Sequence, residues 1–287
     1  MKKVILTPNP YRDRNFRYTL TAERILRESG LQTRICLPFG VDQLPDNCPE
    51  LRLSNLGEEL LDSDLIICFG GDGTILHTSK IALEREIPIL GINTGTMGFM
   101  AELECSELEL LKRIVAGEYK IERRMMLDVE VWRDGRRLLS ETALNDAAIT
   151  KGAVARVIQL AVYCDNVEAS TFSGDGVVVS TPTGSTAYSV SAGGPIVEAT
   201  ARNIIITPIC AHTTQARTLV TAKDRKIAVQ VGRIGRKNTF LSVDGGRAFR
   251  LIADDRITIR RSVHETYLMK LKGTSFYQVV REKLGAI

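Results

Sequence analysis

The chain has 287 residues, 44% of them apolar and 25% charged, with a formal net charge of +4. That length holds two domains, each with a core of its own, and the balance is that of a soluble globular protein. The mild positive charge suits a protein that holds phosphates, but it is too weak for a nucleic-acid partner, and no apolar stretch reaches the length of a membrane span. The cysteines, at 36, 48, 68, 105, 164 and 210, form no CxxC pair and no His/Cys cluster with zinc spacing. They read as reduced thiols of a cytoplasmic protein. The opening run Val4-Ile5-Leu6 dies at Thr7-Pro8-Asn9-Pro10, so a secretory signal is not expected.

The first third alternates strand and helix signals. Lys3 to Thr7 is a short β-branched run, Thr21 to Ser29 reads as a helix stopped by Gly30, and Thr33 to Leu37 reads as a second strand. Leu65 to Phe69 is continuously apolar, as expected of a strand buried on both faces. A helix is expected from Thr74 and another strand over Pro88 to Ile92. Strands separated by helices imply a parallel, Rossmann-like sheet.

Near residue 120 the pattern changes. Leu127, Val129 and Val131 alternate with Asp128, Glu130 and Trp132, and Asp134-Gly135 is a hairpin turn. Strands are then expected at Leu144–Thr150, Val157–Cys164, Gly176–Ser180, Ile204–Thr207, Lys226–Val231, Phe240–Val243 and Arg256–Arg260. Ser275 to Leu284 reads as a closing helix that returns to the first domain. The expected architecture is a Rossmann-like α/β domain over 1–120, rejoined by about 265–287, and a mostly antiparallel β-sandwich over 121–264.

Gly70-Gly71-Asp72-Gly73-Thr74 follows the buried strand and opens a helix, at the carboxyl end of a parallel sheet, where such sheets bind ligands. The glycines let the backbone approach a ligand, and the N–H groups of a helix start attract phosphate. An acid among them repels phosphate, so Asp72 is expected to handle a proton or a metal ion. The segment is neither GxGxxG nor a P-loop. A second cluster, Ser173-Gly174-Asp175-Gly176, leads into a segment in which eight of the twelve residues from Ser180 to Ser191 carry a hydroxyl. Hydroxyls donate and accept, which suits sugar and amide groups, and Tyr188 offers a ring for stacking. Asn145-Asp146 lies in the strand-like run Ala143 to Thr150. The pair suits an adenine edge and a ribose hydroxyl, and a plain strand-end turn explains it equally well.

Together these pieces resemble the NAD kinase family, whose motifs are GGDGT, an Asn-Glu/Asp pair and TPTGSTAYSxSAGGP. They stand here as Gly70–Thr74, Asn145-Asp146 and Thr181–Pro195, and Gly91–Gly95 and Met97-Gly98-Phe99 resemble a further family segment. GGDGT alone is shared with diacylglycerol and sphingosine kinases; the long segment is specific. The resemblance implies a cytoplasmic homo-oligomer, tetramer or dimer, that converts NAD and ATP to NADP and ADP with Mg²⁺ or Mn²⁺. It implies Asp72 as the base for the adenosine ribose 2′-hydroxyl and Gly70, Gly71 and Thr74 as the phosphate loop. Gly73, Asn145, Asp146, Arg156, Asp175, Thr183, Thr186, Ala187, Tyr188, Ser189, Val190 and Ser191 are implied to bind the dinucleotide. No protein metal ligand is implied. The chain departs from the pattern in its Asn-Asp pair, and in Ser173 and Gly246, where relatives often carry Arg and Gln. His77, His212 and His264 are given no catalytic role, and Arg233–Lys237 reads as a solvated basic hairpin. The rival readings are a lipid or sphingoid kinase, which needs an apolar acceptor pocket, and a dinucleotide sensor without chemistry, which has no need of Asp72. The donor (ATP, another triphosphate or polyphosphate) and the choice of NAD or NADH stay open.

Overall fold

The computed structural model describes residues 1–37, 53–54, 56–95, 98–152, 156–213, 215–232 and 238–285. The basic run Arg233–Lys237, Cys48 and Met97 lie outside the described residues. The chain forms two compact units, Met1–Arg123 with Thr266–Ile287, and Arg124–Glu265.

In the first unit a parallel sheet runs β2 (Gln32–Ile35), β1 (Lys3–Thr7), β3 (Leu65–Phe69), β4 (Ile89–Asn93), with β5 (Leu103–Glu104) also parallel to β4. Every residue of β3 and β4 is buried, which is why neither shows the polar alternation of a half-exposed strand. The helix Arg17–Glu28 buries Ala22, Ile25 and Leu26 against this sheet, one stripe at helical spacing. It starts earlier than the sequence expectation of Thr21, because the buried Asp13 carboxylate accepts Tyr18 N–H and Thr19 N–H, both at 2.9 Å. The helix after the glycine turn spans Asp72–Ala82, two residues ahead of the expected start. The closing segment belongs to this unit. Glu102, 8% exposed, accepts Leu271 N–H at 2.8 Å and Lys272 N–H at 2.6 Å and pairs with Lys270 Nζ at 3.1 Å. The final helix, Phe276–Leu284, starts on a Ser275/Gln278 capping box.

The second unit is a mostly antiparallel β-sandwich. One sheet contains β10 (Val167–Gly174), β9 (Ile158–Cys164), β14 (Ile227–Val231), β17 (Arg256–Lys270), β6 (Lys120–Arg133) and β7 (Arg136–Ala143). β6 and β17 carry the chain between the units. The other sheet runs β13 (Leu219–Ala222), β12 (Asn203–Ile209), β11 (Gly176–Ser180), β8 (Asp146–Lys151), β15 (Thr239–Val243), β16 (Phe249–Leu251). Leu127, Val129, Val131, Ile149, Val177, Val179, Val229 and Ile257 fill the layer between them. The β6–β7 hairpin turns at Asp134 and Gly135, with φ of 49° and 73°, the left-handed pair that a two-residue turn demands.

Sequence periodicity misses three strands here, β10, β13 and β16, and truncates β17 at Arg260. Arg260 and Arg261 break the apolar alternation, but the backbone keeps its strand form through them to Lys270. Asn145, expected inside a strand, occupies the bend just before β8.

The Asp255 carboxylate, fully buried, takes Arg133 Nε at 2.7 Å and Nη2 at 2.8 Å and Ile252 N–H at 2.8 Å. Removing one partner of such a pair strands a charge. Asp255→Ala is therefore expected to lower stability by about 3 kcal/mol in urea unfolding, and Arg133→Met/Asp255→Leu by clearly less than Asp255→Ala alone.

Candidate functional site

In the first unit the chain leaves the buried strand β3 at Phe69 and turns through Gly70 and Gly71 into the Asp72–Ala82 helix. Gly70 N–H bonds Ile92 O at 2.9 Å, and Gly71 O receives Thr74 N–H at 2.9 Å. Gly71, Asp72, Gly73 and Thr74 line a cavity of about 460 Å³ together with Asn9, Arg12 and Gly98. The phosphate-loop candidates Gly71 and Thr74 thus share one hollow with the candidate base. Gly70 stands just behind it, and a Cβ there would collide with the Thr74 side chain.

The carboxylate of Asp72 does not hang free. Oδ2 accepts Phe99 N–H at 2.7 Å and Oδ1 accepts Met100 N–H at 3.1 Å. Gly98 makes that embrace possible, because a Cβ at 98 would fall inside the carboxylate. Lys283 Nζ sits 5.2 Å from the Phe99 ring centroid. Burial lowers the Lys283 pKa, opposed by the negative charges of Asp72 and Glu104. Neither the carboxylate's anchor nor Arg12 and Asn9 is legible from the sequence, since they reach Asp72 across long stretches of chain.

In the second unit, side-chain parity assembles the other candidates. On β11, Val177 and Val179 point into the sandwich while Val178 points out; on β8, Ala147 and Ile149 point in and Ala148 out. Asp146 shares the parity of Ala148 and is the register partner of Ser180, so both belong to the outer face. The hydroxyl-rich segment covers that face as two short helical turns, Thr183–Thr186 and Tyr188–Ser191. Many of its hydroxyls bond the segment's own backbone. Ser185 Oγ donates to Pro182 O at 2.7 Å, Thr186 Oγ1 to Thr183 O at 3.3 Å, and Ser191 Oγ to Ala187 O at 3.5 Å. Ser189, fully buried, pairs its hydroxyl with Thr207 at 3.0 Å. Thr183 is buried and accepts from the buried Arg124 at 3.4 Å, a cation the sequence did not flag. Ala187 and Val190 are half-buried, and the Tyr188 ring stands 41% exposed. Burial raises the Tyr188 pKa, and the charges of Asp146, Cys210 and Asp175 add to it, which places the phenol among them. Asp175 pairs with Lys151 Nζ at 2.8 Å. Arg156 is exposed beside residues 153–155, which lie outside the described set.

Asn145 and Asp146 are fixed from below by Asp244. Its carboxylate accepts the N–H groups of Leu144 at 2.9 Å, Asn145 at 2.7 Å and Asp146 at 3.1 Å. Thr181 N–H bonds Asn145 O at 2.9 Å, and Gly184 packs so close that a Cβ would strike that same oxygen. Among the described residues Asn145 Oδ1 and Ser180 Oγ are buried without a hydrogen-bond partner. Burial raises the Asp146 carboxyl to about 7, with the Asp244 charge reinforcing it.

Among the described residues no group of three His, Cys, Asp or Glu side chains is placed to hold a metal ion, and no helix is long and apolar enough to cross a membrane. A glycine turn over a buried parallel strand, carrying one anchored acid, is suited to moving a phosphoryl group between oxygens, and the molecule is a phosphotransferase. Residues 16–119 match the family model described as the ATP-NAD kinase N-terminal domain, and 144–271 the ATP-NAD kinase C-terminal domain. The chain belongs to the ATP-NAD kinase family. Among its relatives is the NAD kinase of Carboxydothermus hydrogenoformans, 42% identical over 83% of this chain and 85% of that one. The NAD kinase of Acetivibrio thermocellus is 34% identical over 99% and 97%. Similar solved structures are yeast NADH kinase complexed with NADH, with TM-score 0.87, 25% identity and coverage of 99% and 88%. An NAD kinase from Archaeoglobus fulgidus in complex with ATP gives TM-score 0.75, 26% identity and full coverage of both chains.

Two outcomes follow from this geometry. Gly98→Ala is expected to displace the Asp72 carboxylate and to lower kcat at least about tenfold with the fold intact by circular dichroism. Because the native state raises the Asp146 pKa from 3.8 to about 7, the folded chain holds more protons than the unfolded one between those values. Asp146 therefore subtracts stability as pH climbs through that window. Asp244→Asn, which removes the like charge, should lower the Asp146 midpoint followed by carboxyl ¹³C NMR.

Proposed function

We propose that this chain transfers the terminal phosphoryl group of ATP to the 2′-hydroxyl of the adenosine ribose of NAD, giving NADP and ADP. The observation that carries the reading is the Asp72 carboxylate, oriented by two backbone N–H groups inside a glycine-lined cavity at a helix start. A ribose hydroxyl is a poor nucleophile at neutral pH, and a placed carboxylate that takes its proton is worth about 10² to 10⁴ in rate. Transfer is in line and without a phospho-enzyme. The ribose oxygen bonds the γ-phosphorus, the bond from that phosphorus to the β,γ-bridging oxygen breaks, and the hydroxyl proton passes to Asp72. Gly71 and Thr74 hold the donor's phosphates at the helix N-terminus, with Gly70 shaping the turn and Gly73 serving the dinucleotide.

The oxygen donors of Asp72, Thr74 and Asn9 suit a hard cation that arrives largely on the donor's phosphates. Mg²⁺ or Mn²⁺ bound there would neutralise phosphate charge. On the second unit, the orphaned Asn145 Oδ1 and Ser180 Oγ are what a bound adenine amine or sugar hydroxyl would satisfy. Asp146, Asp175, Thr183, Thr186, Ala187, Tyr188, Val190 and Ser191 surround them as the dinucleotide face. Ser189 supports that face from beneath, and Arg156 contributes from a subunit boundary. A homo-oligomer, dimer or tetramer, is what the resemblance to the family implies. A cytoplasmic setting agrees with the free thiols Cys36, Cys68, Cys105, Cys164 and Cys210.

Purified protein with Mg²⁺ and ATP should form NADP from NAD, and offering NADH and diacylglycerol beside it fixes the acceptor. Asp72→Asn should bind NAD as the wild type does and turn over at least about a hundredfold slower. Near-normal turnover in that variant would remove the base from the scheme.

A further inference from the structure

The donor cavity has an unequal charge account. Its lining is Asn9, Arg12, Gly71, Asp72, Gly73, Thr74 and Gly98. Asp72 is the one acid and Arg12 the one cation in that set. Triphosphate chains carry several negative charges, and a carboxylate beside them raises the cost of binding. A glycine turn and a helix start supply partial charges only.

Arg12 is built into this place. It stands on the turn after β1, where Arg12 N–H bonds Asn9 O at 3.1 Å and Asn9 Oδ1 accepts Tyr11 N–H at 3.1 Å. The next residue, Asp13, is fully buried and caps the Arg17–Glu28 helix through Tyr18, Thr19 and the Thr19 hydroxyl. The turn cannot swing without breaking that cap. The guanidinium lies against Gly95, so close that a Cβ there would collide with Nη1. Gly95 is itself fixed by Asn93, whose Nδ2 donates to Gly95 O at 3.0 Å and whose Oδ1 accepts Gly95 N–H at 3.1 Å. Among the described residues no carboxylate pairs with Arg12, so its charge is not already spent.

We infer that Arg12 is the cationic clamp of the donor's phosphate chain, with Gly95 kept bare so that the guanidinium can lie across the cavity wall. The planar guanidinium offers paired N–H donors that match two phosphate oxygens at once. The inference deepens the kinase reading and rests on it for the identity of the donor. It assigns Arg12 to donor binding and leaves the acceptor untouched.

The test compares full-length wild type, Arg12→Gln, Arg12→Lys and Gly95→Ala. Arg12 is exposed, so its replacement leaves the core alone. The first readout is calorimetric binding of inorganic tripolyphosphate, which needs no turnover. Arg12→Gln should bind it about ten- to a hundredfold more weakly, with Arg12→Lys between it and wild type. The second readout is kinetic. KM for ATP should rise by a similar factor in Arg12→Gln, while KM for NAD stays within about twofold. Gly95→Ala, which pushes the guanidinium aside, should reproduce the ATP effect. Equal tripolyphosphate affinity in wild type and Arg12→Gln overturns the inference, as does a KM shift that falls on NAD and ATP alike. If wild type forms no NADP at all, the kinase reading fails, and the tripolyphosphate comparison still decides whether Arg12 holds a phosphate chain.

Discussion

The site in the first unit depends on one carboxylate being held still. Asp72 opens a helix whose N-terminus attracts anions, so an untethered side chain would fold back onto its own helix start and compete with any phosphate for the N–H groups there. Phe99 N–H and Met100 N–H hold that carboxylate instead. The N–H groups of the glycine turn are thereby not taken up by the acid, which lines the same cavity. Gly98 is as much a part of the arrangement as the acid, because no larger residue leaves room for it.

The second unit solves a related problem with the opposite chemistry. Three consecutive N–H groups, from Leu144 to Asp146, converge on Asp244. Such a nest fixes the backbone just before β8, where Asp146 shares the outward parity of Ala148. The charge brought in for that purpose then acts on its neighbour. With Asp244 beside it and little water around it, the Asp146 carboxyl titrates near neutrality and offers an O–H donor as readily as an acceptor.

What the sequence reveals follows the range of the forces involved. The buried strand, the glycine turn and the helix behind it are adjacent in the chain, so Asp72 stands out from local pattern alone. The parity of β8 and β11 is equally local. The clamps are not. Asp72 finds its N–H partners 27 and 28 residues on, and Asp244 reaches back about a hundred. Neither Phe99, Met100 nor Asp244 carries a composition or spacing that points to its partner. Hydroxyl richness misleads in a different way. In Thr183–Ser191 part of it serves helical turns that bond their own carbonyls, and Ser189 serves the packing of β12 through Thr207. Counting hydroxyls therefore overstates how many face a ligand. Similarly, the charged pair Arg260-Arg261 hides ten further residues of β17, because strand pairing is satisfied by backbone groups whatever the side chains are.

The two units divide the chemistry by charge. The cavity around Asp72 has one acid, one guanidinium and a wall of backbone, an assembly suited to a charged chain that must be gripped and then released. The face around Asn145 has amide, hydroxyl and carboxyl groups whose net charge near neutral pH is small, since Asp146 is partly protonated there and Asp175 is paired with Lys151. Neutral partners such as a sugar hydroxyl or a base edge gain most from such a surface, because hydrogen bonds to them need no ion to be stripped of water.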